Sequence, residues 1–434
     1  MSTTLIVTVG GASAPIISAI REHQPTFVAF VTSKDQRDPP RPGSYVTVDG
    51  LGEPCDVRAE QKCSNCKTVL TPRQANPSIV ARTGLAPDTY QTIQVEPDDL
   101  NEAYADLRDL LATLRQRFPD ARLIADYTGG TKTMSAALTL AALERGDCEL
   151  ALMAGQRTDL VRVTDGTQTA AAVDTRSWRV QRSLTLAEEL FDRYDYAAAE
   201  RSLAAVVREV GLTPPLRSNI QRRVQLCRGF DAWDRFDHAG AFALLQPFAA
   251  TLGVHWTSLL ALTGRGKTSG YEAVFDLRRN AERRAARTAY DDAVARLYRA
   301  TELLAQLRLK QAYQLDTSDL ELSLLPETLR APYHTKADAK GKVRLGLQAA
   351  YTLLGELNDP LGAAYTHVSG PLENALLQRN RSILAHGNQP VGQSAYHDLN
   401  TQLQHLLATA QTTLKLGREP SQFPRFAETT RDSA

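Results

Sequence analysis

The 434-residue chain has few cysteines, only three tryptophans, no long apolar run and almost no net charge. Its five cysteines are an odd number in a long chain, which argues against a disulfide framework. The longest apolar stretches, such as Leu5–Val9 and Phe27–Val31, fall far short of the roughly 20 residues a membrane-crossing helix needs, so no membrane partner is expected. Residues 1–20 place no Lys or Arg before their apolar run, which argues against a secretory leader; a cytoplasmic protein is expected. Lys and Arg total 50 against 49 Asp and Glu, so the chain-wide basic footprint of a duplex-DNA binder is missing. A 43% hydrophobic and 23% charged composition excludes full disorder. The length fits two to four domains of roughly 100–200 residues each.

The sequence is also short of metal ligands. Cys63 and Cys66 form a C-x-x-C with Cys55 upstream, but a structural zinc site normally takes four ligands. No second C-x-x-C exists and no His lies between residues 24 and 237, so a reduced loop is the simpler reading. There is no carboxylate cluster or His pair of the kind that holds a catalytic metal, and none is expected.

What is present reads as two kinds of structure. The first part is α/β. Thr3–Val9 is a β-branched run that stops at Gly10-Gly11, a helical stretch follows from about Pro15 to His23, and Phe27–Thr32 is a second apolar run. This order opens a parallel sheet. Asp99–Arg117 is an amphipathic helix, Arg122–Ala125 a buried strand, Thr133–Arg145 a small-residue helix, and Cys148–Met153 and Leu160–Thr164 further strands. Residues 35–97, rich in Pro, Gly and polar side chains, read as an excursion from the sheet.

Beyond about residue 176 strand signals cease. Phe191–Ala199 matches Trp233–Ala241 position for position at an offset of 42, an aromatic, a charged turn and a small-residue helix in each copy. Two such hairpins are too few for a free solenoid and read as a bridge. Residues 270–415 form a third, helical unit, with a stripe of Ala293, Leu297, Ala300, Leu304 and Leu307 on one helix. Arg278–Arg299 holds seven Arg against three acids, read either as a solvated face or as a grip on a phosphate backbone. The predicted organisation is 1–175, 176–269 and 270–418, with 419–434 a flexible tail.

Two motifs carry chemistry. The first, Asp126-Tyr-Thr-Gly-Gly-Thr-Lys-Thr-Met134, lies between a buried strand and a helix. In an open parallel sheet ligands sit beyond the carboxyl ends of the strands. Gly129 and Gly130 let backbone approach a ligand. Thr128, Thr131 and Thr133 offer hydroxyls, Lys132 a charge, and the helix its N–H groups to an anion. Tyr127 completes the loop. The turn Gly10-Gly11-Ala12-Ser13 belongs to the first strand and is expected to line the same crevice, as are Thr32 and Ser33 after the second. Gly266-Lys267-Thr268 mimics the end of a phosphate-binding P-loop, but Ala261 stands where the first Gly is needed and no strand precedes it.

The second motif is Arg379-Asn-Arg-Ser-Ile-Leu-Ala-His386-Gly387. Histidine, with an ordinary pKa of about 6.5, suits proton transfer near neutrality. Arginine suits a phosphate gaining charge. On a straight helix Arg379 and His386 would lie about 20° apart, while Arg381 would point about 140° away unless the helix begins inside the motif. Phosphodiester chemistry here would proceed without a metal, using the 2′-hydroxyl of RNA as nucleophile, which DNA lacks.

Together these segments resemble the CRISPR-associated CARF–HEPN ribonucleases of type III systems. Val9–Ser13 and Asp126–Met134 resemble the two ligand loops of the CARF domain. Tyr290–Glu302 resembles the first core helix of the family's HEPN domain, and Arg379–His386 its Arg–His signature. The resemblance implies a Rossmann-like CARF domain, helical linker repeats and an all-helical HEPN domain. It implies a homodimer that binds cyclic tetra- or hexa-adenylate as activator and cleaves single-stranded RNA at a composite site without a catalytic cofactor. His386 would act as acid/base or orient the 2′-hydroxyl, Arg379 or Arg381 would stabilise the phosphorane, and Asn380 fits the polar position beside Arg379. Both arginines fit the signature, with four residues between Arg381 and His386 and six between Arg379 and His386. Two other readings stand beside this one. The helical half could be a non-catalytic scaffold on a ligand sensor, or the CARF crevice could slowly cut its own ligand through Thr131 and Lys132.

Overall fold

The computed structural model describes residues 2–38, 40–50, 77–155, 169–208, 211–384 and 387–429, with the backbone alone at 40, 371, 373–376, 378 and 379. It divides into two compact units, Met1–Arg179 and Val180–Ala434, each with its own cores.

The first unit runs β1 (Thr3–Thr8), α1 (Ala14–His23), β2 (Phe27–Ser33), a small hairpin of β3 (Gln36–Arg37) and β4 (Pro40–Arg41), and α2 (Ile79–Thr83). It continues with β5 (Tyr90–Val95), α3 (Leu100–Arg117), β6 (Arg122–Asp126), α4 (Lys132–Arg145), β7 (Cys148–Ala154) and β8 (Thr169–Ala172). The main sheet has the order β5-β2-β1-β6-β7-β8, parallel up to β7 with β8 an antiparallel edge. Leu5, Val7, Val28 and Phe30 pack with α1 on one face, while Ile6, Ala29 and Val31 pack with α3 and α4 on the other. Burial on both faces is why β1 and β2 are continuous apolar runs rather than alternating ones. Asp99 starts α3 by accepting hydrogen bonds from the N–H groups of Asn101 and Glu102.

Besides the small β3–β4 hairpin, two strands of the main sheet went unforeseen. β5, inside the expected excursion, pairs in parallel with β2; its β-branched and aromatic residues lie between Pro87 and Pro97. The Ala-rich β8 has no strand signature of its own and is held by pairing with β7. The strand expected over Leu160–Thr164 and the loop with Cys55, Cys63 and Cys66 lie outside the described residues.

The helices of the rest of the chain are α5 (Arg176–Asp192), α6 (Tyr196–Val207), α7 (Pro214–Asp234), α8 (His238–Leu245), α9 (Ala249–Leu252) and α10 (Val254–Leu262). After them come α11 (Glu272–Ala286), α12 (Tyr290–Tyr313), α13 (Glu327–His334), α14 (Leu347–Glu356), α15 (Pro360–Asn380), α16 (Gln393–Thr413) and α17 (Phe426–Thr429). The repeat read from the sequence is a repeat of backbone. Tyr194 and Phe236 both take φ near +64°, at 63° and 65°. In each copy the next residue, Asp195 or Asp237, caps the following helix through its carboxylate. The same turn recurs where sequence similarity has gone. Thr288 (φ 60°) joins α11 to α12 and Asn358 (φ 55°) joins α14 to α15, each with the same pair of backbone hydrogen bonds to the preceding helix. α12 is the centre of the second bundle, packed on α11, α14, α15 and α16, with Ala293, Leu297, Ala300 and Leu304 wholly buried.

The Arg-rich stretch is paired within its own unit, buried at Arg278 and Arg283 and exposed at Arg287 and Arg299. Each of its seven arginines is paired with a carboxylate of the same unit: Arg278 and Arg279 with Glu282 and Glu419, Arg283 and Arg284 with Asp234, Arg287 with Asp195, Arg296 with Asp292, and Arg299 with Glu302. Three of the six acids, Glu282, Asp292 and Glu302, lie on the arginines' own helices, while Asp195, Asp234 and Glu419 come from elsewhere in the chain, which counting charge along one segment could not find.

The expected flexible tail is also corrected over 419–429. Phe423 and Phe426 are buried among Phe191, Tyr196, Phe230 and Trp233. Gln422 accepts a hydrogen bond from Arg283 at 2.8 Å, and the Arg283 guanidinium lies 3.7 Å over the Phe423 ring. Two phenylalanines in a polar tail were the available signal.

Candidate functional site

β1 sits where the strand order reverses, with β2 on one side and β6 on the other. The loops after β1 and β6 therefore flank the switch-point crevice of a doubly wound sheet. The structure brings these two sequence-predicted loops together. A Cβ on Gly10 would lie 3.0 Å from the Gly130 nitrogen, and one on Gly129 would lie 2.2 Å from the Thr8 carbonyl oxygen, so only glycine allows the loops this close. Gly130 takes φ +77°. The Gly129 carbonyl accepts from Thr8 Oγ1 at 2.7 Å and from Ser135 Oγ at 2.9 Å.

The threonines of the second loop build it. Thr128 donates through N and Oγ1 to Asp126 Oδ1, and its Oγ1 accepts from the Met153 N–H at 2.7 Å. Thr131 caps α4, accepting from Met134 N at 3.2 Å, and donates to the Pro97 carbonyl at 2.6 Å. Asp126, which sequence reasoning quoted but did not select, anchors the loop. It is wholly buried, its Oδ2 has no hydrogen-bond partner among the described residues, and burial raises its carboxyl pKa above the usual range.

The outer surface of the site is formed by Gly11, Ala12 and Lys132, all exposed, with Gly10, Tyr127 and Thr133 half-buried. Ser13 is buried, and its Oγ accepts from Arg82 Nη1 at 2.9 Å. Thr32 is also wholly buried, its hydroxyl donating to the Ile93 carbonyl at 2.8 Å. Ser33 is tied to Ser44, each accepting from the other's N–H at 2.9 Å. Thr32 and Ser33 thus hold β2 to its neighbours through their hydroxyls.

The second motif lies at a helix end. α15 runs through Arg379 and stops at Asn380, so the straight-helix relation between Arg379 and His386 does not apply. Arg381 and Asn380 are exposed, and Ser382 is buried. The Gly387 N–H bonds the Ser382 carbonyl at 3.1 Å, and the Gln389 N–H bonds the Arg381 carbonyl at 2.9 Å. A Cβ on Gly387 would fall 2.0 Å from the Arg381 oxygen, so this return of the chain needs glycine. The Arg379 side chain and all of His386 lie outside the described residues. Leu377, Ile383 and Leu384 around the motif are large apolar side chains left 54%, 75% and 47% exposed.

The P-loop mimic is explained by its own chain. Glu272 accepts from Thr268 Oγ1, Ser269 Oγ and the Gly270 N–H at 2.7, 2.9 and 3.0 Å, filling the place an anion would take. Among the described residues no group of three or more His, Cys, Asp or Glu is placed to hold a metal ion. No described helix is long and apolar enough to cross a membrane.

Residues 263–410 match the family model of the Csm6 HEPN domain. No curated protein matches the chain. Among solved structures, Csm6 of Enterococcus italicus bound to cyclic hexa-2′-fluoro-hexa-dAMP aligns with 96% of this chain and 96% of its own, at 12% identity and a TM-score of 0.54. Can2 of Sulfobacillus thermosulfidooxidans, in complex with cyclic tetra-adenylate, aligns with 57% of this chain and 68% of its own at 11% identity; its TM-score of 0.22 is too low to establish a shared fold. Residues 263–410 thus match a Csm6-type HEPN domain, and the chain shares the fold of Csm6 along nearly its whole length.

Proposed function

We propose that this protein is a metal-independent, single-stranded RNA endonuclease of type III CRISPR antiviral defence, acting in the cytoplasm and switched on by cyclic oligoadenylate. The observation that carries this reading is the occurrence of two motifs in one chain. A glycine-closed loop pair stands at the switch point of the first unit, and an Arg–His signature stands inside the region matched by the Csm6 HEPN model. The E. italicus protein was solved with a cyclic hexanucleotide analogue, which supports a cyclic nucleotide as occupant of the crevice here. Gly10 to Ser13 and Tyr127 to Thr133 would contact it, with Thr128 and Thr131 acting through the loop they hold.

Cleavage would use the 2′-hydroxyl beside the scissile phosphate. His386 moves the proton, Arg381 or Arg379 takes up charge on the phosphorane, and Asn380 orients its neighbour. Arg381, with the shorter spacing to His386, is the arginine we favour. Homodimerisation is supported by exposed Leu377, Ile383 and Leu384 around the motif, since contiguous exposed apolar side chains mark interaction surfaces. The organisation would be a sensor over 1–175, a helical bridge over 176–269 and the nuclease over 270–418. Slow cutting of the ligand by Thr131 is less well supported, because its hydroxyl already donates to Pro97.

The test is a fluorescent single-stranded RNA reporter titrated with cyclic tetra-adenylate and cyclic hexa-adenylate. One ring is expected to accelerate cleavage at least tenfold. Tight binding of a ring with no cleavage of any RNA would favour the scaffold reading, and binding of neither ring would refute the sensor.

A further inference from the structure

The cations near the carboxyl ends of the first sheet's strands include Lys34, Arg37 and Arg41 after β2, Arg82 on α2 and Lys132 at the start of α4. Lys34 is paired with Glu102. Lys132 and Arg82 have no carboxylate partner among the described residues. Arg82 belongs to none of the sequence-predicted ligand loops. It lies on α2, in the stretch between β2 and β5 that the sequence pattern marks only as an excursion.

The position of Arg82 is built. Ile79, three residues earlier, is wholly buried in the core on the α1 side of the sheet. The Val80 N–H bonds the Val48 carbonyl at 2.9 Å. Ser78 caps the start of α2, and Gly84 closes its end at φ +68°. Fixed in this way, α2 directs Arg82 to the glycine turn after β1, where Nη1 donates to Ser13 Oγ at 2.9 Å. That is the only hydrogen bond of Arg82 among the described residues, and the residue is exposed. A guanidinium offers five N–H donors in a planar fork suited to phosphate oxygens.

We propose that Arg82 is a ligand-binding residue of the sensor, donating to a phosphodiester of the cyclic oligoadenylate beside the Gly10–Ser13 turn while Ser13 holds the guanidinium in place. The inference rests on the proposed sensor function and adds to it a contact from an element outside both recognised loops. Each ring nucleotide contributes one negative charge, so Arg82 and Lys132 supply cations from two sides of the glycine turns.

The experiment measures binding of cyclic tetra- and hexa-adenylate to the full chain by titration calorimetry at several salt concentrations. It compares the wild type with Arg82→Gln, Arg82→Ala and the control Arg21→Ala, on an exposed part of α1. Arg82→Gln keeps a donor for Ser13 without the charge, so it separates ligand contact from support of α2. Both Arg82 variants are expected to bind about tenfold to a hundredfold more weakly, as for loss of a charge-assisted hydrogen bond, with a shallower salt dependence. Arg21→Ala should bind as the wild type does. Unchanged affinity and salt dependence in a folded Arg82→Gln protein would overturn the inference while leaving the sensor intact. A wild type that binds neither ring would overturn both.

Discussion

Replacing Asp234 with Ala should be among the most damaging single changes in the second unit. The Asp234 side chain is 5% exposed and accepts from Arg283 Nε at 2.7 Å and Arg284 Nη2 at 2.6 Å, with Asn280 Nδ2 at 2.9 Å. Arg283 is itself 1% exposed, and its nearest other carboxylate, Asp276, is 3.8 Å away. Removing Asp234 leaves one fully buried and one half-buried cation without their close partner. Breaking a buried pair from one side typically costs about 3–5 kcal/mol, which in a unit of this size lowers the melting temperature by roughly 10 °C. Thermal and urea unfolding followed by tryptophan fluorescence would measure it, because Trp233 Nε1 donates to Asp276 in the same network. Arg299→Ala, which removes an exposed pair with Glu302, should cost about 1 kcal/mol or less. A loss of about 1 kcal/mol or less in Asp234→Ala would refute the buried-network account. Weakened RNA binding at unchanged stability would restore the phosphate-grip reading of the arginines.

Gly387→Ala should abolish RNA cleavage and leave ring binding intact, because its Cβ would overlap the Arg381 carbonyl oxygen at 2.0 Å; full cleavage activity would show that the closed turn is dispensable. For Asp126, burial raises the folded-state pKa, so the folded chain keeps that proton to higher pH than the unfolded chain. Its contribution is therefore most favourable below the ordinary carboxylate range and is lost as pH rises through the raised value. Asp126→Asn keeps an acceptor for Thr128 without the charge, so urea unfolding from about pH 4 to pH 8 should show it more stable than the wild type at the upper end; an equal pH slope in both proteins would contradict this.

The parallel sheet was legible because β1, β2 and β6 are buried on both faces and so appear as unbroken apolar runs. β5 and β8 were not, since an edge strand needs only one good neighbour and its composition can be polar or small. Both glycine loops were legible in the sequence, and the structure explains why glycine is required there. The roles of Thr128, Thr131, Thr32 and Ser33 were not, because a hydroxyl available to a ligand and one that bonds a nearby carbonyl are the same letter. Arg82 lies on a five-residue helix beside residues 51–76 and had no periodicity to reveal it. The pairing of the arginines of 278–299 was hidden for a related reason. Three of their acids, Asp195 before α6, Asp234 on α7 and Glu419 after α16, are brought to them only by folding.

The most direct measurement is the rate of single-stranded RNA cleavage, in the presence of a cyclic oligoadenylate and a metal chelator, by the wild type and by His386→Ala. The account predicts rapid cleavage by the wild type, loss of at least a hundredfold in the variant, and equal ring affinity in both. Undiminished cleavage by His386→Ala, or no cleavage by the wild type until a divalent metal is supplied, would contradict it.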